Sequence, residues 1–398
     1  MKIAVASTSR GRVGRIVLAT WAAATVAAPV ASAAASLNLQ AATADTKAIL
    51  AAGGQADIVL LGDSLSFHDE LSFRPYFTRH MQDLYGDGGK GYVGLGTERG
   101  RFGDGWTAGV VGPTDPAPHH ALDGLWLKAM AGCTAPSGGT ITAFWERMDL
   151  HYVAEPGGGR VQLTGAYDGI PIVGIDTNAD SRRVQTFNVE FPPGTASAVY
   201  FKPDGSGPVT LLGMNLVKHN PGVRVHRASN GGWGVDHFLR RDWTFDQQLS
   251  LLGTDLVMVA IGANDAGKPR DEYVQKLQQL VDRLEAARPQ GEIILVAPYA
   301  FNHPNVGEVA GAIEEVAADR GVGFINLYET AGDYDFFVRN NFLTDGLHFN
   351  QAGGEYVGNL LFEAFRTNGV APGAAVPEPA APAVALAGLA LALRRRRK

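Results

Sequence analysis

Three apolar runs in the C-terminal half, at Asp255–Ile261, Glu292–Ala297 and Gly323–Leu327, are separated by intervals with helical spacing, and that alternation restricts the chain to one kind of sheet. Val274, Leu277, Val281 and Leu284 recur at the spacing of one helix face in the first interval, as do Val309, Ile313, Val316 and Ala317 in the second. Strand, helix, strand in sequence means parallel neighbours joined by crossovers, because an antiparallel pair would need only a short turn. An earlier run, Ile58-Val59-Leu60-Leu61, leads directly into Gly62-Asp63-Ser64-Leu65 and so puts a serine on the sharp turn from a buried strand into a helix. The expected core is an α/β domain assembled from residues 40–96 and 225–369.

Residues 97–224 follow another rule. They are rich in Gly and Pro, and their segments alternate with a period of two: Thr140–Trp145, Arg160–Ala166, Gln185–Phe191 and Ala198–Lys202 read as strands, separated by turn clusters such as Pro156-Gly157-Gly158-Gly159. The reading is an all-β sandwich inserted into the α/β domain; the regular alternation speaks against a long disordered loop. No internal repeat is present.

Both ends read as addresses. Lys2, Arg10, Arg12 and Arg15, the apolar stretch 16–30 and Ala31-Ser32-Ala33 form a secretory signal peptide over residues 1–33, with a membrane anchor as the alternative. At the other end, residues 376–398 carry Pro377-Glu378-Pro379, an Ala/Leu-rich run and Arg394-Arg395-Arg396-Arg397-Lys398. This layout resembles a PEP-CTERM sorting signal, which implies transient membrane contact and processing by an exosortase-type enzyme. The apolar run is shorter than the roughly 20 residues a spanning helix needs.

The two ends contain nine of the 34 basic residues and one of the 40 acidic ones, which leaves 25 and 39 in the body, a net charge of −14. A body so acidic opposes nucleic acid and anionic lipid as partners. Cys133 is the only cysteine, so an exported chain has no internal disulfide and rests on its packed core; Cys133 reads as a structural thiol.

The residues at the strand exits supply acyl-transfer chemistry. Ser64 is a poor nucleophile unless a base takes its proton. His348 can do so near neutral pH, and Asp345, three residues earlier, can hold the other ring nitrogen. Asn264, in Gly262-Ala263-Asn264-Asp265 after its strand, can aim a side-chain amide at a developing oxyanion, with the Ser64 N–H and a glycine N–H beside it. Asn230-Gly231-Gly232-Trp233-Gly234 is placed to supply that glycine. Asp63 reads as a turn-stabilising carboxylate, and Asp265 as a cap for the following helix or a support for Asn264. His119-His120 lacks a third ligand at a recognisable spacing and reads as a solvated loop. Trp126, Trp145 and Trp243 read as core; Trp233 could be core or could stack on a sugar. No elbow, Walker or dinucleotide fingerprint occurs, and no metal or cofactor is expected.

In this order the blocks resemble the SGNH (GDSL) hydrolase superfamily. Ser64, Asn264, Asp345 and His348 match its motifs one to one, and Gly232 matches its glycine, with Gly231 and Gly234 as rivals. The resemblance implies a flavodoxin-like three-layer sandwich with five parallel strands, a triad of Ser64, Asp345 and His348, and an oxyanion hole of Ser64, Gly232 and Asn264. Tyr85-Gly86-Asp87-Gly88-Gly89-Lys90-Gly91-Tyr92, together with the β-rich insertion, looks like the peptidoglycan O-acetylesterase branch. The expected protein is therefore a secreted serine esterase acting on an acetylated bacterial polysaccharide. A lipase or thioesterase of the same fold, and a non-catalytic glycan-binding matrix protein, are the alternatives.

Overall fold

The computed structural model describes residues 36–95, 105–109, 120–137, 145–165, 173–191 and 199–369. The signal region, the sorting tail, His119 and most of the Thr140–Trp145 segment lie outside them.

The parallel sheet forms where the apolar runs place it. Its strands are β2 (Gln55–Gly62), β12 (Gly222–Ser229), β13 (Leu256–Ala260), β14 (Glu292–Ala297) and β15 (Gly323–Asn326), with the two-residue β1 (Ser36–Leu37) antiparallel on the β15 edge. The spatial order is β1-β15-β14-β13-β2-β12, all neighbours from β15 to β12 being parallel. Among the five parallel strands the chain starts in β2, steps outward to β12 and crosses back to β13, the doubly wound order whose ligands sit beyond the carboxyl ends at the reversal. Every residue of β2 after Gln55 is buried, so both faces are covered by helices. Helix α3 (Arg74–Tyr85) packs on α10 (Gln351–Thr367); α6 (Arg270–Ala287) packs on α7 (Val306–Arg320) and on the shorter α4 (Val235–Leu239) and α5 (Trp243–Leu251). The remaining helices are α1 (Ala44–Ala51), α2 (Ser64–Phe67), α8 (Leu327–Thr330) and α9 (Tyr334–Arg339). Among the described residues no helix is long and apolar enough to cross a membrane.

The interval between β2 and β12 builds two antiparallel sheets. One runs β4 (Trp106–Ala108), β5 (Leu127–Ala129), β11 (Val209–Val217), β6 (Arg147–Ala154), β9 (Arg183–Glu190); the other runs β10 (Val199–Pro203), β7 (Arg160–Gly165), β8 (Val173–Asp176). Met148, Leu150, Val161, Leu163, Ile175 and Phe201 close the core between them, separate from the core of the parallel sheet, and Cys133 is buried there.

The two parts are stitched together at two places. Asp87 starts a turn by accepting from the Gly89 N–H (3.0 Å), and the chain then runs as β3 (Gly89–Gly94) antiparallel to β11. A division at residue 224/225 falls inside β12, which follows β11 after a short turn and pairs with β2 from Gly222 onward. Arg224 sits at that position: its Nε and Nη2 donate to Asp57 on β2 (2.6 Å each), and His226 holds the same carboxylate through Nε2 (2.8 Å) while its Nδ1 accepts from the Tyr92 N–H of β3 (2.9 Å).

Candidate active site

The nucleophile turn is set by one glycine and one aspartate. A β-carbon on Gly62 would lie 1.9 Å from the Ser66 Oγ and 3.1 Å from the Ser229 Oγ, so any larger residue at the end of β2 would displace the Ser66–Ser229 hydroxyl pair at the start of α2. Asp63 is the N-cap of α2, its Oδ1 accepting from the Leu65 N–H at 2.9 Å, and this leaves Ser64 as the first helical residue.

Across the reversal, the loop before α10 delivers the base. Asp345 Oδ1 accepts the backbone N–H groups of Leu347 (3.1 Å) and His348 (2.8 Å), which folds the loop so that Oδ2 meets His348 Nδ1 at 2.7 Å. The Tyr299 hydroxyl donates to the Leu347 carbonyl (2.5 Å), and the Thr344 N–H donates to the His348 carbonyl (2.8 Å). The ring is thereby turned toward α2, with Nε2 2.8 Å from Ser64 Oγ. With Nδ1–H on the carboxylate, Nε2 is the acceptor and can take the serine proton. Hydrogen bonds from the His348 backbone and ring hold the Asp345 carboxyl down at about 2, so it is ionised throughout the neutral range. Ser64 is 9% exposed, whereas the side chains of His348 and Asp345 are 35% and 57% exposed, so the site opens directly to the surface.

Two further strand exits close the other side. At the end of β12 the Asn230 N–H donates to the Gly62 carbonyl (3.2 Å) and the Ser229 hydroxyl meets the Ser66 hydroxyl (2.8 Å), which seats the glycine turn beside the nucleophile. Gly232 has φ +75°, a conformation that favours glycine. The Gly234 N–H is already used, donating to His237 Nδ1 at 3.1 Å, which removes one rival to Gly232. At the end of β13, Asn264 Nδ2 donates to the Trp233 carbonyl (2.9 Å), tying the two turns to each other and leaving its second N–H for another acceptor.

Several expectations need correction. Asp265 caps neither the following helix nor Asn264: its carboxylate accepts from the Val235 N–H (3.2 Å), at the start of the preceding α4. Trp233 is 3% exposed, with the Arg241 guanidinium 3.7 Å from its ring centroid and His237 stacked on it, so it is core and no platform for a sugar. His120 is a half-buried partner of Asp242 (2.5 Å) rather than part of a solvated pair. Trp145 is only partly buried and lines a surface cleft. Among the described residues no cluster of His, Cys, Asp or Glu could hold a metal. Unforeseen in the sequence are Tyr299, which anchors the histidine loop, and Asp123, a buried carboxylate of the inserted region beside the glycine turn.

Burial pushes the Asp63 carboxyl up to about 7, with the neighbouring Asp265 adding to the effect. A carboxyl whose folded pKa exceeds its unfolded one stabilises the fold fully below the unfolded value, and that contribution fades as pH rises through the folded value. Asp63→Asn keeps an oxygen for the Leu65 N–H but cannot ionise. Measured by denaturant unfolding, the variant should gain on the wild type by roughly 3 kcal/mol between pH 4 and pH 7.5. A difference that stays flat across that range would mean Asp63 is ionised throughout.

Residues 201–356 match the GDSL-like Lipase/Acylhydrolase family. No curated protein matches the chain. Among solved structures, a peptidoglycan O-acetylesterase is similar with a TM-score of 0.65 at 16% identity, covering 82% of this chain and 95% of that one. A lipase/acylhydrolase from Enterococcus faecalis (TM-score 0.31, 23% identity, 39% of this chain and 80% of that one) and a family two carbohydrate esterase from Cellvibrio japonicus (0.23, 14%, 57% and 84%) superpose too loosely to bear on the fold. The family match begins in β10, inside the insertion, and contains the glycine turn, Asn264, Asp345 and His348; Ser64 lies far upstream and joins them only through the fold. A match placed in this way, on a chain whose fold supplies the missing serine at hydrogen-bonding distance, makes the protein a serine ester hydrolase with a GDSL-like lipase/acylhydrolase domain of the SGNH type.

Proposed function

We propose that the protein is an exported esterase that removes O-acetyl groups from a bacterial glycan, peptidoglycan or an exopolysaccharide. The observation that carries the chemistry is the hydrogen-bonded series Ser64, His348, Asp345 at the mouth of an open site. Ser64 Oγ attacks the acetyl carbonyl carbon as its proton passes to His348 Nε2, and Asp345 holds the imidazolium. The Ser64 and Gly232 N–H groups and Asn264 Nδ2 receive the oxyanion. Collapse expels the sugar oxygen, which takes the proton from His348; a water deprotonated by the same ring then releases acetate and restores Ser64.

Two features favour a glycan over a lipid. The apolar void beside the site, lined by Leu65, Phe73, Tyr299 and Phe349, has a volume of about 20 Å³, room for a single water and not for an acyl chain. A cleft of about 320 Å³, with the charged or polar side chains of Asp69, Arg74, Gln82 and Lys90 around Trp145, joins α3 to the inserted sheets; Arg74 reaches from it to the Ser66 carbonyl on α2 (3.1 Å). An aromatic ring among paired charges suits a sugar ring. The likeness in fold to a peptidoglycan O-acetylesterase extends over the insertion and agrees with this reading. Residues 1–33 direct export, and residues 376–398 are the address for an exosortase-type processing enzyme.

The test uses protein recovered from the cell envelope or medium of a producing cell, whose intact mass reports whether both ends have been removed. Acetate release from acetylated glycans should then exceed that from the same glycans after alkaline deacetylation, and aryl acetate should be hydrolysed in preference to aryl octanoate. Preference for acyl chains of about eight carbons would replace this reading with the lipase.

A further inference from the structure

The inserted region reaches the catalytic centre at a point no substrate would touch. Asp123, in the loop before β5, is fully buried. Its carboxylate accepts from the backbone N–H groups of Gly94 (3.0 Å) and Leu125 (3.1 Å) and from Nε (3.1 Å) and Nη2 (2.9 Å) of Arg227 on β12. Its backbone carbonyl accepts from Asn230 Nδ2 at 2.7 Å. Asn230 opens the glycine turn: its own carbonyl accepts from the Trp233 N–H (3.4 Å), so Gly232 lies within the closed turn that Asn230 begins.

The same loop grips the turn from its far side. Arg241 Nη1 donates to the His120 carbonyl (3.3 Å) while its guanidinium lies on the Trp233 ring. Gly124 is so close to both that a β-carbon there would come within 2.7 Å of Arg241 Nη2 and of the Trp233 ring. Both side chains that flank Gly232, Asn230 and Trp233, are therefore held by residues 120–125 of the insertion, and the loop itself is locked by a carboxylate with four donors.

We propose that this loop is the brace of the oxyanion turn and that Asp123 is its positioning residue, holding the Gly232 N–H where the transition-state oxygen will form. The inference rests on the reading of Gly232 as an oxyanion donor. An oxyanion donor acts only if its direction is fixed before the charge appears. Displacing it by a fraction of an ångström weakens the transition state and leaves ground-state binding almost untouched, and misplacements of about 1 Å from remote substitutions cost on the order of a hundredfold. The loop of residues 120–125 is on this account part of the catalytic machinery, while the core between the inserted sheets is not.

The experiment is Asp123→Asn in the full chain, assayed on a small aryl acetate. The amide offers one acceptor oxygen in place of two and carries no charge, so it cannot take all four donors or form the ion pair with Arg227, while the backbone carbonyl that Asn230 uses is retained. Expected are a kcat lowered by about 10- to 100-fold, a KM within about twofold of wild type, and an inhibition constant for phenylboronic acid, which forms a tetrahedral adduct on the serine, raised in step with the loss in kcat/KM. Leu163→Ala, in the core between the inserted sheets, is the control: it lowers the melting temperature and leaves both quantities unchanged. If Asp123→Asn does not fold, Asn230→Ala, which deletes one hydrogen bond to the turn and leaves the Asp123–Arg227 pair intact, carries the same expectations. A kcat and a boronate affinity that follow only the folded fraction, as in the control, overturn the proposal. Activity surviving in Ser64→Ala would overturn the underlying reading instead.

Discussion

Replacing Ser64 with alanine is expected to leave less than about one hundredth of the acetate release from a small aryl acetate, and His348→Ala to do the same, because members of a triad act as a unit. Among the described residues Ser64 Oγ makes one side-chain hydrogen bond, to His348 Nε2, and the turn that carries it is held by Gly62, by the Asp63 cap and by Asn230. The alanine variant thus loses the nucleophile without losing the turn, and its melting temperature should stay within a few degrees of wild type. The double variant should be no slower than either single one beyond error, since once the serine is gone there is no proton for the imidazole to take. Residual activity above about one hundredth in Ser64→Ala, with folding confirmed, would move the nucleophile elsewhere. Retention in His348→Ala alone would point to a different base for the same serine.

What the sequence makes legible depends on how directly a local pattern reports a tertiary fact. Strands β2, β13, β14 and β15 are short and apolar, so burial on both faces is written into each, and α6 and α7 carry their apolar stripe at helical spacing. Strand β12 is equally buried yet reads as Gly-Val-Arg-Val-His-Arg-Ala-Ser. Its Arg224, His226 and Arg227 lie inside because Asp57 and Asp123 meet them there, and no local pattern announces partners more than a hundred residues away. The charged strand hides the seam between the two parts, and a module boundary drawn at residue 224 cuts through it. For the site, Ser64, Asn264, Asp345 and His348 stand at strand exits and in turns whose composition is distinctive. Asp123, Tyr299 and the true partner of Asp265 act through contacts that only the folded chain makes. The insertion is likewise legible as β-rich from its alternation, while its hold on the glycine turn is not, since that hold consists of one loop carbonyl, one buried carboxylate and the close approach of Gly124.

Asn264→Ala should separate transition-state stabilisation from substrate binding. One N–H of its side-chain amide is committed to the Trp233 carbonyl, which fixes the amide plane; the other is available at the strand exit that faces Ser64. In the ground state an acetyl carbonyl oxygen carries little charge and gains little from that donor. In the tetrahedral intermediate the oxygen is an anion, and the same donor is worth several times more because it is already oriented and needs no reorganisation. The alanine variant should therefore lower kcat by roughly 10² to 10³ with KM nearly unchanged, the cost typical of one oxyanion donor. Asn264→Asp has nearly the same shape but offers acceptors in place of donors, and it should be slower still because a carboxylate there repels the oxyanion. Were Asn264→Ala to raise KM and spare kcat, the amide would be a ground-state contact to the ester. Were Asn264→Asp to retain more activity than Asn264→Ala, the side chain would matter for packing the two turns and not for the charge that develops between them.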